Sequence, residues 1–213
     1  MIHNEDCLVT MSRMKDNSID FILTSPPYDN LRDYKGYSFE FEKIAAEMYR
    51  VLKPHGILMW VVGNESKNYN ESLTAQRQII HFQDTGWLVP DVMILVRQSG
   101  NPGNKRLYWQ EFDYMYLITK DILGTANLIE DRRNKNVGAS YGGSVRGKDG
   151  TTRKGKTGRV KPFTKRSNVW YADVGYMKST TDREAFDHPA IMPFKVALDH
   201  VTTWSDPVSY THL

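Results

Sequence analysis

Along the first 120 residues, short apolar runs alternate with segments whose apolar positions recur every three or four residues. Ile19-Asp20-Phe21-Ile22-Leu23-Thr24 predicts a buried strand, with Asn17 before it and a proline pair after it. From Phe39 to Lys53 the apolar residues Phe41, Ile44, Met48, Val51 and Leu52 fall on one helical face. Ser38 is the expected N-cap of that helix, and Pro54 and Gly56 end it. Gly56 to Val62 predicts a second buried strand. Glu71 to Asp84 predicts a helix closed by Gly86, and Trp87 to Val96 a strand with Pro90 near its start. Phe112 to Thr119 alternates aromatic and aliphatic residues with polar ones, the pattern of a further strand. Strand–helix–strand–helix–strand order predicts an α/β sheet with helices on its faces.

After Lys120 the pattern is lost. Gly138 to Gly158 holds seven glycines, many Ser and Thr, and scattered Lys and Arg, with no apolar periodicity. It predicts a long mobile loop, of the kind that inside compact proteins is functional or disordered. Order returns at Asn168-Val169-Trp170-Tyr171, and a last helix is predicted from about Pro193 to Trp204, with Pro193 in its first turn. There is no internal repeat.

Composition narrows the class. In 213 residues, 40% hydrophobic and 12% aromatic, wholesale disorder is excluded. The longest strongly apolar stretch, Ile57 to Val62, is far too short to cross a bilayer. The start, Met1-Ile2-His3-Asn4-Glu5-Asp6, lacks the basic and apolar regions of a signal peptide. Cys7 is the sole cysteine, which excludes an internal disulfide and a cysteine metal cluster, and the six histidines lack metal-ligand spacing. A cytoplasmic protein without a bound metal is expected. The net charge of +3 conceals an asymmetry: Arg132 to Arg166 carries 12 Lys+Arg and one acid, Asp149, or +11. The remainder carries 16 Lys+Arg against 24 Asp+Glu, or −8. Clustered cations beside an acidic body suggest a polyanion at one face, the alternative being a solvated basic loop.

Candidate chemistry lies at Thr24-Ser25-Pro26-Pro27-Tyr28, where the first strand ends and where open α/β sheets bind ligands. The proline pair keeps the backbone extended and removes two N–H donors, leaving nearby carbonyls as rigid acceptors. Such a run standing alone simply ends a strand. In this context it resembles motif IV of the amino-directed DNA methyltransferases, in which Asp, Asn or Ser precedes Pro-Pro and an aromatic. Asn4-Glu5-Asp6-Cys7-Leu8 and Met14 to Asp20 resemble the opening of the same family, with Glu5 where glycine is common. Tyr49 to Leu58 is similar to the family's following helix and strand, and His188-Pro189-Ala190-Ile191-Met192-Pro193 to the segment before its cofactor strand. The matches run from residue 2 to about residue 207.

The resemblance implies a Rossmann-like methyltransferase fold, a mixed sheet with helices on both faces, that uses S-adenosyl-L-methionine. Ser25, Pro26, Pro27 and Tyr28 are the implied catalytic residues. An exocyclic amine is a poor nucleophile because its lone pair is conjugated into the ring. If Ser25 Oγ and the Pro26 carbonyl each accept an amine N–H, the nitrogen can pyramidalise and attack the sulfonium methyl in line. Tyr28 would stack on the flipped base. Asp6, at the tip of a strand, and Cys7 would lie beside the cofactor, and His188 to Pro193 beside its methionine part. Double-stranded DNA is the expected partner, a membrane is not, and a homodimer is left open. Arg132, Arg133, Arg146, Arg153, Lys154, Lys156, Arg159, Lys165 and Arg166 are candidates as a group for DNA contact.

The implied division is a catalytic part at 1–125, a basic target-recognition insert at 126–168, a return to the core at 169–207 and a non-native tail at 208–213. The last two parts follow from an absence. Members of this motif order place a strand reading Val-Leu-Asp-Pro-Phe-x-Gly-Ser-Gly-Thr after the last helix, and no Asp-Pro-Phe-x-Gly-Ser-Gly occurs here. The expectation is therefore a fold incomplete at its C-terminus that binds cofactor poorly. Ser at the first motif position leans towards cytosine N4, with adenine N6 a close second. Alternatives are an RNA or protein-glutamine N-methyltransferase, and a catalytically dead DNA-binding remnant. Gly150-Thr151-Thr152-Arg153-Lys154-Gly155-Lys156-Thr157 fits a phosphate-loop pattern, but its flanks predict neither the strand nor the helix such a loop needs.

Overall fold

The computed structural model describes residues 2–27, 39–101, 106–188 and 190–206. They fall into two units, one formed by the chain up to Asn127 and from Asn168 onward, the other by Leu128–Ser167. The first unit opens with helix α1 (Cys7–Ser12), strand β1 (Ile19–Thr24), helix α2 (Phe41–Val51) and strand β2 (Leu52–Val62). Two-residue strands β3 (Ser66–Lys67) and β4 (Asn70–Glu71) pair with each other before helix α3 (Thr74–Asp84). Strands β5 (Leu88–Asn101) and β6 (Gln110–Thr119) follow.

In the second unit lie β7 (Arg132–Arg133), β8 (Ser140–Tyr141), β9 (Ser144–Arg146), β10 (Thr152–Lys154), β11 (Gly158–Arg159) and β12 (Phe163–Thr164). The chain then returns to the first unit with β13 (Val169–Ala172), a 3-10 turn at Glu184–Asp187 and helix α4 (Phe194–Trp204).

The first unit is built on one five-stranded sheet in the order β1-β2-β6-β5-β13. β1 runs parallel to β2 and β13 parallel to β5, while β6 is antiparallel to both of its neighbours. This is the expected mixed sheet, and its helices cover both faces. Alternation along the strands decides which core each side chain joins. Leu58, Trp60 and Val62 of β2, with Tyr116 and Ile118 of β6, pack under α1, α2 and α3 through Met11, Ile44, Met48, Ala75 and Phe82. Ile57, Met59 and Val61, with Met115 and Leu117, pack on the other face against Val196 and Trp204 of α4. A strand buried on both faces has no polar side, which is why Gly56 to Val62 reads as a continuous apolar run.

Boundaries differ where local backbone chemistry intervenes. β2 starts at Leu52 because α2 hands over directly to extended backbone, Leu52 having φ −69° and ψ 136°. Pro54 is accommodated by a register jump, from Ile19 opposite Leu52 to Phe21 opposite Ile57. α3 starts at Thr74 rather than Glu71, since Glu71 is paired in β4 and Leu73 takes a left-handed φ of 55°. Glu40 occupies the N-cap position of α2 without a side-chain capping bond, and Ser38, the expected cap, lies outside the described residues. The tail expected at 208–213 also lies outside them. Among the described residues no helix is long and apolar enough to cross a membrane.

The second unit corrects the expectation of an irregular loop between Gly138 and Gly158. β7 pairs with β12, β8 with β11 and β9 with β10, all antiparallel and each ladder nested inside the one before. Both faces of these ladders are largely exposed, so no apolar alternation is required, and alternation is the signal by which a strand is read from sequence.

Phe82 joins the elements under one face of the sheet. It is fully buried and meets the Trp60, Phe41 and Trp87 rings edge-on, at centroid distances of 5.3, 5.4 and 5.5 Å. Phe82→Ala is expected to cost about 3–5 kcal/mol of unfolding free energy in urea titrations, and a loss below about 1 kcal/mol would remove Phe82 from that role.

Candidate active site and basic arm

β1 delivers Ser25, Pro26 and Pro27 to the edge of the sheet at which β2 also ends, Thr24 lying opposite Trp60. Ser25 is exposed, Pro26 buried and Pro27 half-buried. The stretch from Thr24 to Pro27 lines a cavity of about 360 Å³ whose other walls are apolar: Cys7, Met11 and Met14, Ile19 and Ile22, Phe39, Ile44, Met48, Val51 and Trp60. Trp60 is fixed there by a 2.9 Å bond from its Nε1 to Oε1 of the buried Gln78, so its indole N–H is satisfied without facing the cavity. Tyr28, the last residue of the motif, lies outside the described residues.

Asp6 requires a correction. It does not end a strand but is the N-cap of α1, its carboxylate accepting the Leu8 N–H at 2.8 Å. A short acidic side chain before a helix satisfies an otherwise orphaned donor, which favours this conformation. Cys7, the first residue of α1, is thereby placed on the wall shared with Ser25 to Pro27.

α1 is held at its other end by Arg50. That guanidinium donates to the Met11 carbonyl at 2.6 Å and the Met14 carbonyl at 2.8 Å, and pairs with Asp16 at 2.6 Å and Glu47 at 2.7 Å. The bond from Arg50 holds the Glu47 carboxyl below its ordinary pKa. Glu5 is lowered likewise, by the Thr10 hydroxyl and then by Arg13. His188 is exposed and its Nδ1 accepts the Ala190 N–H at 3.1 Å, a turn-shaping bond. Pro193 is buried at the N-cap of α4, one position before the helix rather than within it, and Pro189 lies outside the described residues.

Two charged residues at the same sheet edge escape the sequence reading. Asp113 stands opposite Leu95 and next to Tyr114, which itself faces Val62 at the end of β2. It is 7% exposed, with Arg97 Nε 3.3 Å from its Oδ2. Burial pushes its carboxyl up and the Arg97 charge draws it back down. The available signal is a lone acid between Phe112 and Tyr114, and a lone Arg after the run Met93 to Val96. Along β6, Tyr114 and Tyr116 stack at 5.6 Å, and burial raises the Tyr116 hydroxyl pKa.

The basic candidates lie in the second unit. Arg132 and Arg133 are on β7, Arg146 on β9, Arg153 and Lys154 on β10, and Arg159 on β11; Lys156 and Lys165 are in connections. All of these are exposed. Arg166 differs, being half-buried and paired through its guanidinium with Asp131. The segment Gly150 to Thr157 forms a turn and β10, with no helix following, so it is not built as a phosphate loop.

Residues 19–211 match the profile of the N6/N4 DNA methylases. The orphan methyltransferase M.BamHII of Bacillus amyloliquefaciens is 42% identical over 200 residues, covering 91% of this chain and 76% of that protein. The Type II methyltransferase M.SfiI of Streptomyces fimbriatus is 26% identical over 160 residues, covering 60% of this chain and 37% of that one. Among solved structures, the PvuII DNA methyltransferase (cytosine-N4-specific) superposes with a TM-score of 0.63 at 16% identity, covering 95% of this chain and 69% of that chain, a likeness of fold.

The exposed Ser25 and the buried Trp60 should separate cleanly in stability. Ser25→Ala is expected to unfold within about 0.5 kcal/mol of the parent, and Trp60→Ala to lose about 3–5 kcal/mol, both in urea titrations. A large loss at Ser25 would make its hydroxyl a structural group rather than one presented to a ligand.

Proposed function

The chain belongs to the N6/N4 DNA methylase family, and on that premise we propose that it transfers a methyl group from S-adenosyl-L-methionine to the exocyclic amine of a base in double-stranded DNA. The observation that carries the reading is the exposed Ser25 hydroxyl beside the buried Pro26, where β1 ends on the wall of an apolar cavity. In the family that the motif resembles, Ser at its first position leans towards cytosine N4, with adenine N6 a close second.

The residues present suit the cofactor. A cavity of about 360 Å³ with Met, Ile and Trp walls suits the flat purine face of the cofactor, and the exposed Asp6 carboxylate, next in sequence to Cys7 on that wall, would accept hydrogen bonds from its polar groups. Bound, the cofactor supplies an electrophilic methyl on sulfonium sulfur. The chain's own part is to bind and orient the amine. Ser25 Oγ accepts one amine N–H, and the Pro26 carbonyl accepts the other. With both hydrogens held, the nitrogen lone pair would leave conjugation and be aligned for attack, the methyl's bond to sulfur breaking as its bond to nitrogen forms and one amine proton then being lost, and alignment would supply much of the rate. A base inside a duplex cannot reach such a pocket, so it is flipped out, with Tyr28 as the stacking partner. Asp6, Cys7, His188 and Pro193 are assigned to the cofactor. The exposed cations of the second unit are assigned as a group to DNA contact, and Arg166, paired with Asp131, ranks last among them.

Three measurements test this. Digestion of methylated DNA to nucleosides should yield N4-methylcytosine, and N6-methyladenine alone would end the cytosine assignment. Ser25→Ala should lower methyl transfer by about 10²-fold or more with stability unchanged, and a drop of less than about threefold would free the hydroxyl from that role. DNA affinity should fall steeply with salt, by about 0.9 decade per decade of salt for each phosphate contact, and a flat response would remove the phosphate assignment.

A further inference from the structure

We propose that the second unit is a two-stranded β-ribbon that enters the major groove of DNA tip first, with β9, β10 and their turn reading base edges and the cations behind them gripping phosphates. The proposal rests on the reading of the chain as a DNA methyltransferase and adds which residues determine its sequence preference.

Three ladders nested in one hairpin make a single arm. Arg132 and Arg133 face Thr164 and Phe163, Ser140 and Tyr141 face Arg159 and Gly158, and Ser144, Val145 and Arg146 face Lys154, Arg153 and Thr152. Backbone bonds continue the pairing between ladders, from Gly138 N to Val160 O at 2.9 Å and from Gly155 N to Gly143 O at 2.7 Å. Within Leu128–Ser167 there are 12 Lys+Arg against three acids. Two of those acids, Glu130 and Asp131, precede the first ladder, so the ladders and the tip hold Asp149 alone. That carboxylate is exposed but engaged within its own turn, accepting the Thr151 N–H at 3.0 Å and the Thr151 hydroxyl at 2.8 Å. With Gly147 N bonded to Thr151 O and Gly150 at a φ of +81°, the turn is fixed by its own bonds and presents little bulk.

The orientation follows from side-chain alternation. Cross-strand partners share a face, so Ser144, Arg146, Thr152 and Lys154 point to one side of the outer ladder, and Val145 and Arg153 to the other. A ribbon lying flat along DNA would turn one of these faces, with its cation, to solvent. A ribbon entering end-on puts both faces against groove walls.

Dimensions select the groove and the depth. A major groove about 12 Å wide admits a two-stranded ribbon, whereas a minor groove about 6 Å wide does not. The turn at 147–151 leads, and the three pairs behind it span about 10 Å at roughly 3.4 Å each, against a major-groove depth of about 8.5 Å, so the pairs next to the turn lie inside the groove. Arg146 and Arg153 therefore reach base edges, for which Arg prefers guanine O6 and N7. Val145, 48% exposed on the face of Arg153, meets a thymine methyl. Lys156 and Arg159, one step back, lie at the level of the phosphates.

The test selects bound duplexes from a random-sequence pool with the full chain, its Arg146→Ala and Arg153→Ala variants, and its Lys156→Ala and Arg159→Ala variants. All four side chains are exposed, so the fold is left intact. The unaltered chain should enrich a guanine-containing sequence. Arg146→Ala and Arg153→Ala should each relax it at one or two positions, cutting discrimination there by roughly ten- to a hundredfold. Lys156→Ala and Arg159→Ala should keep the sequence, weaken every duplex alike and shallow the salt slope by about one. In the enriched duplex, 7-deazaguanine, which removes a major-groove acceptor, should weaken binding, and inosine, which removes only the minor-groove amine, should not. Retention of the full preference by both tip variants, or sensitivity to inosine alone, would overturn the proposal while leaving methyl transfer to DNA standing. Failure of the unaltered chain to bind any duplex would overturn both.

Discussion

The guanidinium of Arg50 joins the pieces that position the motif. It sits in the last turn of α2, yet two of its bonds go to carbonyls at the end of α1, and its carboxylate partners lie on α2 and in the turn before β1. Beside it, Asn17 N bonds to the Arg50 carbonyl at 3.0 Å and Ser18 N to the Val51 carbonyl at 2.8 Å, so the chain enters β1 already docked on the helix. The carbonyls at a helix end are obligatory acceptors, and in a six-residue helix they are most of the structure. A planar fork of five donors can serve two carbonyls and two carboxylates at once; an ammonium, with three donors, cannot. The place of Ser25 at the far end of β1, and of Cys7 on the wall it faces, both follow from this one junction.

What was legible in the sequence was what burial writes into it. β1, β2, β6 and α2 bury whole faces or stripes, and their apolar spacing carries them. The Ser25-Pro26-Pro27 run stands out through its resemblance to a family motif, since two prolines after a strand by themselves say only that the strand ends. The remainder had no such imprint. α1 is too short for a helical period to show, and the strand tip that the resemblance implies at Asp6 gives way to a helix cap. Arg50 is one cation among 28 until its partners are known. Asp113 and Arg97 interrupt apolar strands, a legible irregularity, but only the sheet register puts them at the edge where β1 ends.

The two units are stabilised by different physics. In the first, a central strand buried on both faces ties α1, α2 and α3 on one side to α4 on the other, and apolar contact does the holding. In the second, with side chains largely in water, order comes from cross-strand backbone bonds, left-handed glycines and one carboxylate bonded within its own turn. Opposite charge balances follow the same division, since a polar ribbon with no core can carry many cations without burying any.

Few positions in that ribbon are committed to its shape. Tyr141 lies across Gly158, where an added Cβ would stand 2.6 Å from its hydroxyl, and Asp149 and the turn glycines are similarly bound by geometry. The side chains of Arg146 and Arg153 are exposed and are not bound in this way. The arm thus separates the residues that must be kept from those that are free to vary. If the outermost ladder meets DNA as proposed, single substitutions at its exposed arginines would alter the contact surface while leaving the scaffold beneath it in place.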